Sequence, residues 1–269
     1  MLELVQASLS YRGRAVVHPL DLTVDPGTLS VIVGPNGAGK SSLLKLMTGE
    51  AEPNSGEVRL GGEPLARFSP ERLARRRAVL PQSSALAFPF TVAEVVRFGL
   101  EAGGHRRDPA AIRAALARVD LADFGGRFYG ELSGGEQQRV HLARVLCQIG
   151  APVHGGQARL LFLDEPVSSL DIRHQLAVLR IARDFAEGGG AVVAVLHDLN
   201  LAAGFADRLI AMAGGRVVTE GPPAAILTDA LVEQVFGVRL RVGATPCPPQ
   251  PFVLPQMAAP LSRTSQWTL

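Results

Sequence analysis

The stretch that most constrains this chain is Gly34-Pro35-Asn36-Gly37-Ala38-Gly39-Lys40-Ser41-Ser42. It stands behind the apolar run Leu29-Ser30-Val31-Ile32-Val33 and ahead of Leu43-Leu44-Lys45-Leu46-Met47, whose apolar spacing is helical. A strand, a glycine-rich loop ending in Gly-Lys-Ser, and a helix make a phosphate-binding loop when they occur in that order. Glycines let the backbone curl until several N–H groups face one anion. The helix behind them adds the positive end of its dipole. In such a loop Lys40 reaches the terminal phosphates and the Ser41 hydroxyl ligates Mg²⁺.

A chain of 269 residues has room for one large domain or two small ones. With 47% apolar and 19% charged residues it has an ordinary globular balance. A formal net charge of +2 implies no strong field for nucleic acid. The two cysteines, Cys147 and Cys247, lie too far apart in sequence to form a metal-like pair, which fits a reduced setting. Met1-Leu2-Glu3 opens a strand-like segment rather than a signal peptide. No apolar run approaches the roughly 18 residues of a membrane span, so the chain is expected to be soluble by itself.

Along the chain, Leu2 to Leu9 alternates and Thr23-Val24 follows a turn, which predicts antiparallel strands beside the first core strand. Tyr11 falls in the turn between them. By itself it reads equally as a loop aromatic or as a flat surface for a purine ring. Glu57 to Leu60 alternates as a strand between glycine turns. Ser69-Pro70 opens a helix, with serine at the N-cap and proline at the first helical position. Arg72 and Arg75 to Arg77 cluster there and read as a solvated face. Ala78 to Gln82 is a short strand that Pro81 stops. Thr91 caps a helix from Val92 to about Leu100, and Pro109 to Val119 forms another.

Leu132-Ser133-Gly134-Gly135-Glu136-Gln137-Gln138-Arg139 precedes the helical Val140 to Leu146. It is a second helix start with anion-binding character, although spacing alone favours a plain serine-capped loop. Leu160 to Leu163 is apolar throughout, as in a strand buried on both faces. It ends at Asp164-Glu165. In hydrolases with this kind of phosphate loop, an acid at such a strand end holds Mg²⁺, and a second acid beside it can take a proton from water. A helix is predicted from about Ile172 to Glu187. Ala191 to Leu196 is the next buried strand. His197 behind it is either a helix-cap histidine or a donor to a phosphate oxygen at the carboxyl edge of the sheet. Arg208 to Met212 and Arg216 to Glu220 form a hairpin, and Pro223 to Phe236 a helix. Beyond Gly243 the chain is proline-rich, and its last 15 to 20 residues or so are expected to be loosely held.

These landmarks, in this order, resemble the ATP-binding cassette (ABC) family of transporter ATPases. The resemblance runs from about Leu2 to Val242, and the Leu132 to Arg139 segment is its most specific part. Many members carry glutamine where Glu136 stands. The resemblance implies an α/β fold: a P-loop ATPase core of mixed sheet and flanking helices, an antiparallel β subdomain, and an inserted helical subdomain. The cassette would span 1–243, the helical insertion about 86–156, and a tail 244–269. It further implies that Tyr11 stacks on adenine, and that Gly34, Pro35, Asn36, Gly37, Ala38, Gly39, Lys40, Ser41 and Ser42 hold the phosphates of ATP. Ser41 and Gln82 would ligate Mg²⁺ with support from Asp164. Glu165 would polarise the attacking water, and His197 would contact the γ-phosphate. Ser133, Gly134 and Gly135 would reach the nucleotide of a second copy, and Asp171 would bridge the copies.

The implied assembly is a head-to-tail ATP-sandwich homodimer under a membrane permease dimer. It lies at the cytoplasmic face of a bacterial inner membrane, served indirectly by a periplasmic substrate-binding protein and binding no nucleic acid. Phe88-Pro89-Phe90-Thr91-Val92 and His197-Asp198-Leu199-Asn200-Leu201-Ala202 resemble ATPases of importers for iron chelates, haem and cobalamin. Asp164 to Gln175 and the long Gln148 to Ala158 linker look most like the haem branch. A siderophore or cobalamin importer is the alternative reading, and a non-transport cassette ATPase a weaker one.

Overall fold

The computed structural model describes residues 1–82, 86, 88–105 and 108–258. The chain begins with β1 (Leu2–Tyr11), β2 (Arg14–Val24), β3 (Leu29–Val33), α1 (Lys40–Thr48), β4 (Ser55–Leu60) and β5 (Glu63–Pro64). It continues with α2 (Pro70–Ala74), β6 (Arg77–Leu80), α3 (Val92–Ala102), α4 (Pro109–Arg118) and α5 (Gly134–Ile149). Then come β7 (Val153–His154), β8 (Gln157–Ala158), β9 (Leu160–Asp164), α6 (Ile172–Glu187) and β10 (Ala191–Val195). Last are α7 (Leu199–Phe205), β11 (Arg208–Ala213), β12 (Arg216–Gly221), α8 (Pro223–Ile226) and α9 (Asp229–Phe236). The described residues divide into two compact units, 1–66 with 193–258, and Arg67–Val192.

In the first unit, β2, β1, β4 and β5 form an antiparallel sheet in that order. Leu2 and Leu4 of β1 face the core; beyond Gln6, at φ 47°, the register shifts and Ala7 and Leu9 are the buried residues. The strand keeps its apolar side inward by a bulge, which a simple alternation misses. Tyr11 is the last residue of β1, paired with Arg14, rather than a turn residue. β3 pairs in parallel with β11, Val31 opposite Leu209 and Ile32 opposite Ile210, and β11 pairs antiparallel with β12. All of β3 is buried, as expected for a parallel strand covered on both faces. The single helix expected over 223–236 is two, α8 and α9. The break falls where the Thr228 side chain accepts from Leu231 N at 3.2 Å and starts α9 afresh.

In the second unit, β6 and β9 run parallel, with Ala78 opposite Leu161 and Leu80 opposite Leu163. Thr91 opens α3 with a reciprocal capping box to Glu94. α3 and α4 both pack on α5. The close approach of α3 depends on Gly99, where a Cβ would overlap the Arg144 carbonyl oxygen. Phe162 and Phe185 are fully buried in the core. The Gln148 to Ala158 linker holds a small hairpin, β7 and β8, turning at Gly155-Gly156. Cys147 on α5 is buried, and desolvation first, then Asp108, pushes its thiol up to about 12, whereas Cys247 is exposed. No helix among the described residues is long and apolar enough to cross a membrane. Within the tail, the turn Pro255–Met257 packs on α7; residues 259–269 of the segment expected to be loose lie outside the described residues.

Candidate functional site

The loop between β3 and α1 is built as its sequence requires. Gly34, Gly37 and Gly39 take φ of 153°, 77° and 98°. At Gly34 a Cβ would overlap the Met212 carbonyl oxygen, so the chain leaves β3 along a path that only glycine allows. Gly39 is the N-cap of α1 and provides no side-chain cap. The first-turn N–H groups of α1 therefore point out of a helix end that no cap residue covers. Lys40 is 6% exposed and folds back over the loop, its Nζ donating to the carbonyls of Gly34 at 2.8 Å and Pro35 at 2.9 Å. The loop is anchored from the other side. Gly215 N donates to Ala38 O at 3.0 Å, and His18 N of β2 donates to Gly215 O at 2.8 Å.

Two further predicted residues belong to this unit. Tyr11 is 48% exposed at the end of the β1–β2 hairpin. Leu196 N donates to Ile32 O at 3.2 Å, which brings the exposed His197 out beside the end of β3, where the loop begins. Asp198 behind it caps α7, accepting from Asn200 N and Leu201 N. The cap role thus falls to Asp198, the neighbour of His197.

In the other unit, β9 delivers Asp164 and Glu165 to its carboxyl end. Asp164 is buried at 9% exposure. Glu165 has left the strand and sits at φ 50°, a left-handed conformation that costs a non-glycine residue energy. Its backbone carbonyl is held there by Gln138 Nε2 at 3.1 Å and the Ser168 hydroxyl at 3.2 Å. Its carboxylate accepts from Gln82 Nε2 at 2.8 Å. Gln82 and Glu165, separated in sequence, therefore meet, and the hydrogen bond uses the amide end of Gln82 and leaves its Oε1 outside that bond. Gln138 and Ser168 support this corner and were not singled out in the sequence. The φ of Glu165, which makes their contacts necessary, leaves no sequence signal.

Ser133 caps α5. Its hydroxyl accepts from Glu136 N at 3.4 Å, while Glu136 Oε2 accepts from Ser133 N at 2.8 Å and from the Ser133 hydroxyl at 2.7 Å. These bonds, the side-chain one foremost, hold the Glu136 carboxyl below the usual glutamate range. Ser133 and Gly134 are exposed. Gly135 lies against the Ser169–Leu170 turn, where a Cβ would sit 3.0 Å from Ser169 O. Asp171 caps α6, accepting from His174 N at 2.9 Å, and its carboxylate also faces the His174 ring at 2.8 Å. Hydrogen bonding to the His174 backbone, then to its ring, lowers the Asp171 pKa.

A groove of about 580 Å³ opens in the same unit between Phe88-Pro89 and the Phe128 to Glu131 turn. Phe88 is 70% exposed, and Phe90 packs edge-on against Phe98 at 5.0 Å.

A phosphate loop between a buried parallel strand and a helix, with a strand-end pair of acids, defines a P-loop nucleotide-binding protein. The family model described as ABC transporter matches residues 17–168, and the chain belongs to that family. A "Hemin import ATP-binding protein HmuV" from Rhizobium meliloti (strain 1021) is 53% identical over 96% of this chain and 99% of its own length. A protein of the same name from Jannaschia sp. (strain CCS1) is 52% identical over 96% and 95%. Among solved structures, the ATP-binding subunit of an ABC transporter superposes with a TM-score of 0.74 at 26% identity, covering 91% of this chain and 95% of that one. A dimeric ATP-binding cassette bound to ADP and Pi gives 0.72 at 25% identity, covering 83% and 99%. The fold is that of the P-loop ATPase cassette.

Proposed function

We propose that this chain is the ATP-hydrolysing subunit of an importer that brings haem into the cell. Two lines support it: the family membership, and relatives more than half identical over nearly the whole chain whose names specify hemin import. The observation that carries the hydrolytic part is the corner at Glu165. A carboxylate delivered by a buried strand is held against Gln82 and remains half-exposed, in position to orient a water.

The phosphates of ATP are substrate to the loop at Gly34 to Ser42. Backbone N–H groups from Gly37 to Ser42 cradle the β- and γ-phosphates, and Lys40 exchanges its two carbonyl partners for phosphate oxygens. Tyr11 offers its exposed ring to the adenine. His197 donates to the γ-phosphate as charge builds on it. The oxygens of Ser41, Gln82 and Asp164 are the hard donors that Mg²⁺ prefers, and the ion would neutralise charge on the phosphates. Phosphoryl transfer needs mostly positioning and charge stabilisation, and a second helix end meets that need. Ser133, Gly134 and Gly135 at the start of α5 supply it to the nucleotide of a second copy, with Asp171 beside the contact. One chain with one phosphate loop and one such segment closes as a two-fold sandwich of two nucleotides.

The helical insertion, about 86–156 within a 1–243 cassette, carries the groove at Phe88 and Phe128 that would receive an apolar segment of the permease. The protein then sits peripherally on the cytoplasmic face of the inner membrane, with a periplasmic binding protein feeding the other side. The test uses the chain with the permease it co-purifies with, reconstituted into vesicles. ATP-dependent accumulation of hemin, lost with Glu165→Gln, is the expected result. Accumulation of a ferric siderophore or cobalamin in its place overturns the cargo assignment, and undiminished phosphate release by Glu165→Gln overturns the role of that carboxylate.

A further inference from the structure

A second cavity in the Arg67–Val192 unit, about 610 Å³, is lined by cations. Arg72, Arg75, Arg76 and Arg159 contribute guanidinium groups and His105 and His154 contribute imidazoles. Glu71 is the one carboxylate among its described lining residues. That carboxylate is engaged locally: its own backbone N–H, then the Ser69 hydroxyl, hold its pKa below the ordinary value.

Several of these cations are held in place by carbonyl, amide and aromatic groups. Arg159 is 6% exposed and donates from Nη1 to the carbonyls of Ile149 and Ala151. Burial lowers its pKa, and the like charge of Arg76 lowers it further. Arg76 donates to Gln157 Oε1 on β8 at 2.6 Å. Arg72 stacks over the Phe68 ring at 4.1 Å. Arg75 is exposed and lies along Gly104, and its charge adds to the lowering of the Glu71 pKa. Gathering cations in a partly desolvated recess costs energy that an anion in the same recess offsets.

We propose that this cavity binds a small phosphate compound carrying at least two negative charges. Guanidinium groups reach the cavity from three segments: Arg72 and Arg75 at α2, Arg76 just before β6, and Arg159 just before β9. Several guanidinium donors around one space suit a phosphoryl group, which offers three acceptor oxygens and up to two charges. The volume lies within the range of small-ligand pockets and admits more than one phosphoryl group. The cluster that reads in sequence as a solvated face is thus one wall of a receptor, completed by Arg159, His105 and the β7–β8 hairpin.

The experiment uses the full chain with its phosphate loop saturated by Mg²⁺ and a non-hydrolysable ATP analogue, so that a second site is what is measured. Pyrophosphate is titrated calorimetrically, and vesicles of phosphatidylcholine with and without phosphatidic acid are tested by flotation. Pyrophosphate binds the unmodified chain, and Arg75→Gln weakens it about tenfold, the loss of one charge-assisted contact. Arg75→Glu abolishes it, while ATP hydrolysis and the melting temperature are unchanged in both variants. Vesicle binding with the same sensitivity to Arg75, and no pyrophosphate binding, assigns the site to a lipid headgroup. Binding of neither probe, or binding that survives Arg75→Glu undiminished, overturns the proposal.

Discussion

The starts of α1 and α5 are both glycine-bearing helix ends, and they are built in opposite ways. At α1 the N-cap is Gly39 in a left-handed conformation, with no side-chain cap, and the preceding glycines also take positive φ. At α5 the N-cap is Ser133, and a capping box with Glu136 fills the helix end from within the chain. Gly134 and Gly135 are already helical there and have negative φ. The first end leaves its donors to a ligand. The second is stable alone and meets a ligand only by its exposed rim. This is the division of labour expected if nucleotide affinity resides at α1 while α5 completes an assembled site.

The strongest challenge to this contrast is Lys40→Ala. It removes the cation over the α1 loop and lowers the rate of phosphate release by about a hundredfold or more; a variant that retains turnover would strip the α1 end of its special status. Glu165→Gln follows, with hydrolysis reduced by roughly 10²- to 10⁴-fold. ATP binding is retained and the population of dimers in ATP increases, as measured by light scattering; persistence as monomer would break the link to α5. Next is a pair of matched substitutions. Gly34→Ala forces a Cβ onto the Met212 carbonyl and costs roughly 1–3 kcal/mol in denaturant unfolding. Gly134→Ala has nothing within 4 Å and leaves stability within about 1 kcal/mol of the unmodified chain, yet impairs hydrolysis. Equal destabilisation by the two would erase the difference between the helix ends.

Smaller still is Ser133→Ala, which removes the α5 cap and costs about 1 kcal/mol in thermal or denaturant unfolding. The smallest effect is with pH. Because the folded Glu136 pKa is depressed, its contribution is complete above the unfolded glutamate value and is lost as pH falls through the folded one. Ser133→Ala moves the Glu136 titration back up toward the ordinary range, readable by NMR, and an unchanged titration would show that the box does not set it.

Much of this was legible from residues. The phosphate loop announced itself because its glycines, lysine and flanking periodicities are all local. Thr91, Ser69 and Ser133 were readable as caps for the same reason, since a cap is decided within a few residues. The ends of α6 were also clear, set by Asp171 before it and glycines after it. What escaped depends on contacts between distant segments. The bulge at Gln6 follows from pairing with β2 and β4. The split of α8 from α9 turns on one threonine in an otherwise helical run. The left-handed Glu165 is held by Gln138, 27 residues away, and Arg159 closes a cavity whose other arginines precede it by some 80 positions. Neither meeting is written in any short window of sequence.

The contrast between the two cysteines makes this chain its own reporter. Buried on α5 with its thiol pushed up to about 12, Cys147 has almost no thiolate at neutral pH, while Cys247 stands exposed. A maleimide spin label or fluorophore will therefore mark a single position in each copy of the unaltered protein. If two labelled copies close around nucleotide as proposed above, the separation between the marks becomes one measurable distance, and opening and closing can be followed in time without engineering a residue.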